Sequence, residues 1–204
     1  MKKLTRENWL NEAKNLLQSG VFKTAELTIP NDVKISCGFA LGTRKTKASK
    51  FLTLGVCLNR ASSTAKVNEI FMSPQNDDTI KTLGVLAHEL IHAIDDCKNG
   101  HGKVFRDMAH AIGLEGKMTM TTESPKLILE LKKIAQKLGE YPHAEILLSA
   151  RKKQTTRNIK MECSDDHGNG CGFSFRTSQK NVDLLEVYTC PACCNEAGFL
   201  TQTN

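Results

Sequence analysis

The stretch that decides the fold is Thr79-Ile80-Lys81-Thr82-Leu83-Gly84-Val85-Leu86-Ala87-His88-Glu89-Leu90-Ile91-His92-Ala93-Ile94. Its apolar positions 80, 83, 87, 90, 91 and 94 recur with the period of a helix. Ser73, Pro74, Asn76 and Asp77 just ahead break any strand and can cap a helix. A helix is therefore predicted from Thr79 to about Cys97. Residues four apart on a helix lie about 40° apart around its axis, so His88 and His92 point the same way, one turn apart. Two imidazoles so placed can share one Zn²⁺. Glu89, next to His88, can reach a water at that metal, act as its general base, and pass the proton to a leaving amine. A chance HExxH on an ordinary helix is the rival reading. The long amphipathic setting favours the metal.

A hydrolytic zinc site needs a third protein ligand and one open position. The next histidine is His101, within Asn99-Gly100-His101-Gly102-Lys103-Val104-Phe105. Two flanking glycines allow a sharp turn that would return His101 to the first helix. His110, Asp95, Asp96 and Asp107 are its rivals. Asp95 and Asp96 either orient a ligand imidazole or sit at an exposed helix end. Gly84, one turn before His88, either clears space for a substrate or is merely tolerated.

Nearer the N-terminus, residues 4–17 place Leu4, Trp9, Ala13, Leu16 and Leu17 near one helical face, and Gly20 is expected to end that helix. Three β-like runs come next, Val33–Leu41, Phe51–Asn59 and Lys66–Met72, and an antiparallel meander is their simplest packing. Beyond the HExxH helix, further helices are predicted over Lys103–Ile112, ended by Gly113, and over Ser124–Leu138, opened by Ser-Pro. Residues 139–150 read as a mixed connector and 151–160 as a basic linker.

From about Ile159 short strands and cysteines take over. Cys190-Pro191-Ala192-Cys193 is a two-residue knuckle that can set both thiolates on one metal. Cys163 and Cys171 complete a Cys₄ site as the first choice. His167 with Cys171 and the second pair is the alternative, leaving Cys163 spare. Cys194 is expected to point away, and Cys37, Cys57 and Cys97 to be core thiols. A tail of about 50 residues with few large apolar side chains needs such a staple.

The 204 residues carry 25% charged and 40% hydrophobic side chains, ordinary for a folded soluble chain. No run approaches the ~18 apolar residues of a membrane span. The N-terminal residues start basic but then mix polar with apolar, so no secretory signal is expected. Eight cysteines in the reducing cytosol expected on that ground read as ligands or core thiols rather than disulfides. The formal net charge of +6 is clustered at Arg44, Lys45, Lys47 and Lys50, and at Arg151, Lys152, Lys153, Arg157 and Lys160. The second group has no acid between its members and suits phosphate contacts, with a solvated linker as the plainer reading.

Leu86-Ala87-His88-Glu89-Leu90-Ile91-His92-Ala93, Gly100-His101-Gly102-Lys103-Val104-Phe105 and Ile112-Gly113-Leu114, with a ribbon at the end of the chain, resemble the SprT-like metallopeptidase family. Gln154-Thr155-Thr156-Arg157, Cys171-Gly172-Phe173 and Arg176-Thr177 are similar to its phage-encoded members. The likeness spans roughly residues 5–195. It implies an α+β fold: a small zincin-like domain over 1–150, with a helix, a three-stranded antiparallel sheet, the HExxH helix and further helices, then a zinc ribbon over 151–204. It implies one catalytic zinc on His88, His92 and His101 with Glu89 as catalytic acid/base, and one structural zinc on Cys163, Cys171, Cys190 and Cys193. Relatives such as Spartan cut proteins crosslinked to DNA, so protein substrates and DNA are the partners implied. The expected protomer is a monomer in the cytoplasm, that of a bacterial host if phage-encoded. The Cys163–Cys171 spacing is longer than the tight knuckle such ribbons use.

Two other functions compete: a nucleic-acid-binding or transcription-associated regulator built on the ribbon and basic linker, and a two-zinc scaffold. The scaffold has no use for Glu89. The regulator would gain little from base stacking, since aromatic residues are only 5% of the chain.

Overall fold

The computed structural model describes residues 4–39, 53–147, 158–164, 170–184, 189–193 and 199–203. The chain divides into two compact units, Met1–Leu147 and Leu148–Asn204.

In the first unit α1 (Arg6–Leu17) starts where the Thr5 hydroxyl accepts from the Asn8 N–H. It buries Trp9, Leu10, Ala13 and Leu17 along one face. Helical winding does not stop at Gly20. It continues as a wider π turn, Gln18–Phe22, that brings Phe22 fully into the core. The central element is α2 (Thr79–Ile94), capped by the Asp78 carboxylate on the Lys81 N–H at 2.7 Å. It packs against α1, both neighbouring strands and the helices after it, so it is apolar on most sides, as a buried helix must be. It ends at Ile94, short of Cys97, because Asp96 and Cys97 take left-handed backbone at φ 57° and 58°.

The first sheet departs from the expected meander. Its order is β1 (Lys34–Cys37), β3 (Glu69–Met72), β2 (Gly55–Leu58). β1 runs parallel to β3, with Ile35 opposite Ile70, while β2 runs antiparallel to β3, with Val56 opposite Phe71. The long connection over residues 38–54 makes this possible, since crossing one strand position needs only about 10 Å. β3, which alternates buried Ile70 and Met72 with half-buried neighbours, takes the centre. β2 is thereby left on the edge, against α2.

α3 (Lys103–Ile112) ends on Gly113 at φ 89°, the left-handed cap that glycine favours. Next comes a hairpin that the sequence pattern does not predict: β4 (Leu114–Lys117) and β5 (Met120–Glu123), joined by Met118 and Thr119. α4 (Pro125–Leu138) opens with the Ser124 hydroxyl on the Leu127 N–H and with Pro125 in its first turn. The Trp9 indole donates to the Gly139 carbonyl at 3.1 Å and ties the end of α4 to α1.

The second unit is a small antiparallel sheet in the order β7 (Ser174–Thr177), β6 (Ile159–Ser164), β8 (Phe199–Thr203), with a short α5 (Gln179–Asp183) capped by Ser178. Its described buried core is Met161, Cys163 and Cys190, with Phe173, Phe175 and Val182 partly covered against it.

Replacing Gly113 by Ala should destabilise the first unit by about 1–3 kcal/mol, since a side chain there is strained and its Cβ would stand 2.8 Å from Ser124 Oγ. Gly20→Ala, with open space around it, should be neutral or mildly stabilising. Urea denaturation of both variants checks this, and equal midpoints would contradict it.

Candidate metal centre

Helix α2 presents His88 and His92 on one face, and the loop before α3 returns His101 to them. Gly100 makes that return at φ 49°, and the Gly102 N–H closes the turn on the Asn99 carbonyl at 2.9 Å. A Cβ at Gly102 would stand 3.0 Å from the same carbonyl oxygen, so both flanking glycines serve the turn. His101 Nε2 lies 3.3 Å from His88 Nε2 and 3.3 Å from His92 Nε2. A tetrahedral ion with metal–nitrogen distances of about 2.1 Å sets its ligand nitrogens about 3.3–3.4 Å apart, so the trio fits one metal ion.

Beneath the trio Phe105 is fully buried, its ring 4.4 Å from that of His92 and 4.8 Å from that of His88. This apolar floor keeps the imidazoles neutral, the form that ligates. Burial, then the neighbouring histidines, hold His88 down to about 3. Burial and His101 hold His92 down to about 4, against the opposing charge of Asp95. Burial lowers His101 as well. Nδ1 of His88 lies 3.0 Å from Thr121 Oγ1 on β5. With Nε2 turned to the metal, Nδ1–H donates to that hydroxyl and fixes the ring.

Glu89 faces the edge strand. Burial pushes its carboxyl up to about 8, and the Cys57 backbone N–H partly offsets this. A Cβ at Gly55 would stand 2.8 Å from Glu89 Oε1 and Cγ, so a glycine on β2 makes room for the acid. The site opens into a cleft of about 570 Å³, walled by β2 and the residues before it on one side and by the β4–β5 hairpin on the other.

The two acids after α2 have duties of their own. Asp96 Oδ1 accepts from the Arg60 backbone N–H at 2.8 Å and from Asn68 Nδ2 at 3.1 Å, bracing the β2–β3 connection. Asp95 Oδ2 accepts from the Asn99 N–H and side-chain amide, each at 3.1 Å. Neither hydrogen-bonds a ligand imidazole among the described residues; Thr121 does. Gly84 clears space for Glu123, whose carboxylate lies over it. His110 and Asp107 are outside the cluster. Thr121, Gly55 and Glu123 escaped the sequence reading because strand pairing, not local pattern, brings them to the site.

In the second unit Cys163, Cys171, Cys190 and Cys193 form one cluster. Sγ of Cys163 lies 3.8 Å from that of Cys193, and Sγ of Cys171 3.5 Å from that of Cys190, near the ~3.8 Å that a tetrahedral ion with metal–sulfur distances of about 2.3 Å imposes. Burial raises the Cys190 thiol, but the backbone N–H groups of Cys193 and Ala192, with the neighbouring sulfurs, bring it down to about 6. His167 and Cys194 lie outside the described residues, as do Arg44–Lys50 and Arg151, Lys152, Lys153 and Arg157. Lys160 is on β6, paired with Glu162. The three thiols expected in the core, Cys37, Cys57 and Cys97, are all half-buried; Cys57 packs against the core and also lines the cleft, and Cys97 lines the cleft too. No helix among the described residues is long and apolar enough to cross a membrane.

The pure protein should hold about two divalent ions per chain, one per cluster. His101→Ala should release one and spare the other, and Thr121→Val should weaken the same site by about 10–100-fold; metal analysis during chelator competition reads both. Cys190→Ser should abolish amide-exchange protection from about residue 159 onward and leave α2 protected, because the metal supplies most of that unit's folding free energy. Protection that survives chelation would contradict the metal-stapled account.

Comparison with protein-family models, with curated proteins and with solved structures gives no match, so the reading of these sites rests on their own geometry.

Proposed function

We propose that the chain is a zinc-dependent metalloendopeptidase of SprT-like type, acting on proteins associated with or crosslinked to DNA. The observation that carries this reading is the convergence of three neutral imidazoles with a buried carboxylic side chain one residue from the first of them. Nitrogen and sulfur donors at tetrahedral separations favour zinc at both clusters. Zinc at the histidines would supply Lewis acidity and lower the pKa of its water to about 7.

The chain's own residues do the rest. His88, His92 and His101 would hold the ion, and the cleft beside them would admit water and substrate. Glu89 is held by Gly55 and the Cys57 N–H where it can take a proton from the attacking water and return it to the leaving amine. A metal ion beside Glu89 would counter the burial that keeps it protonated. Among the described residues β2 is an edge strand that lines the cleft, with the Cys57 N–H on Glu89 and the Cys57 carbonyl on the Cys97 thiol, so an extended peptide can add beside it at Gly55. That geometry favours internal cleavage of extended or unfolded segments. A scaffold reading leaves Glu89 and the open cleft without a purpose.

Glu89→Gln should lower proteolysis of casein or of the chain itself by about 10²–10⁴-fold while both metals stay bound. Wild type is assayed beside it, with and without DNA. Equal activity in the two proteins would overturn the peptidase. For DNA, the proposed contacts are Arg151, Lys152, Lys153, Arg157 and Lys160. Changing Lys152, Lys153 and Arg157 to Ala should flatten the log–log salt dependence of binding by about two to three units, with all sequences weakened alike. Identical slopes in a filter-binding titration would remove this run as the DNA contact. A regulator without peptidase activity predicts the slope change but no effect of Glu89→Gln.

A further inference from the structure

Glu123 closes β5 on the cleft wall facing β2 and is half-buried there. Its carboxylate lies directly over Gly84 of α2. A Cβ at Gly84 would overlap Glu123 Oε1 and stand 2.6 Å from Cδ, so this placement exists only because position 84 is glycine. Position 84 is one turn before His88, so the carboxylate sits about 6 Å along the helix from the first histidine. An extended peptide advances about 3.3 Å per residue, which puts the carboxylate within about two residues of a bond lying at the histidine trio. The Glu123 carboxylate has no hydrogen bond or ion pair among the described residues. Its neighbours Thr121 and Met120 also line the cleft, Thr121 holding His88 and Met120 largely exposed.

We propose that Glu123 is the specificity-determining residue of this cleft and that it receives a cationic group of the peptide, a lysine or arginine side chain, close to the cleaved bond. This deepens the peptidase reading and rests on it. The chemistry of the wall leaves little else for the carboxylate to bind. It is acceptor-only when ionised, and the opposite wall offers the uncharged residues Thr53, Leu54 and Gly55. A partly desolvated carboxylate is satisfied best by a charged donor from the bound chain. Gly84 keeps it over the helix rather than out in water. The shared chemistry of a side-chain cation and a free α-amino group is separated by acetylating the peptide.

The test uses the full-length zinc-loaded protein carrying Glu89→Gln, so that peptide is bound and not cut. Fluorescent alanine-rich peptides carry one lysine or one norleucine at each position in turn, each N-acetylated or free. Dissociation constants are measured with Glu123 intact, with Glu123→Gln and with Gly84→Ala. Ala in place of Gly84 favours the helix and displaces only the flexible tip of Glu123, leaving the three histidines in place, which metal analysis checks. Lysine should tighten binding about tenfold or more over norleucine at one or two positions, acetylated or not, and both changes should erase the difference. Equal affinity for the two peptides, a preference that survives Glu123→Gln, or one that vanishes on acetylation would overturn the proposal. The protein with Glu89 restored is assayed on the same peptides. Cleavage with no lysine preference sinks Glu123 and leaves the peptidase. Lysine-selective binding with no cleavage sinks the peptidase and leaves Glu123 as a binding residue. No binding of any peptide overturns both.

Discussion

His101 Nε2 stands 3.3 Å from Nε2 of both His88 and His92 above a buried phenylalanine, and three lone pairs converging in this way repel one another unless a cation sits among them. Burial limits water at His88 and His92 and disfavours a second proton on either ring, so short of a cation the nitrogens can be reconciled only where one neutral ring turns an N–H toward another. The surrounding fold can be understood as the means of imposing that geometry. α2 supplies two of the rings, one turn apart on one face. The Gly100–Gly102 turn supplies the third. The apolar packing around α2 holds the helix in place.

Each wall of the cleft then acts on one member of the site. β2 comes to the sheet edge because β3 takes the centre, and this brings Gly55 and the Cys57 N–H to Glu89. The β4–β5 hairpin brings Thr121 to His88 and Glu123 to Gly84. Two glycines that look ordinary in the chain, Gly55 and Gly84, thus mark where a carboxylic side chain from another element must come close. The second unit obeys the same logic with less material. Its described core is three residues, two of them cysteines, so an ion held by the four converging sulfurs would supply stabilisation that apolar burial cannot.

What could be read from the sequence was local. The α2 period, its two histidines, Glu89, the glycine-flanked His101 and the Cys190–Cys193 knuckle are short-range patterns with direct chemical meaning. The helix start at Ser124 and the stop at Gly113 were legible for the same reason. The misreadings were non-local. Nothing in residues 33–72 says that β1 pairs parallel with β3, because that depends on a crossover whose length permits two topologies. The hairpin went unseen because Leu114-Glu115-Gly116-Lys117 has little β-branched character and its Met118-Thr119 turn lacks the Asn-Gly or Asp-Gly signature. Gln18–Phe22 continued past Gly20 because burying Phe22 outweighs a local stop signal. For Asp95 and Asp96 the sequence left open whether they orient a ligand imidazole or sit at an exposed helix end, and only the fold shows that Asn68 and the Arg60 N–H claim Asp96.

The central claim is that the three histidines bind a metal ion at one point. Zinc-edge anomalous diffraction from crystals of the protein, purified without chelator, tests it most directly. The account predicts two peaks per chain, one at about 2.1 Å from Nε2 of His88, His92 and His101 and one at about 2.3 Å from the sulfurs of Cys163, Cys171, Cys190 and Cys193. A single peak at the sulfurs, with the imidazoles turned apart, would contradict it.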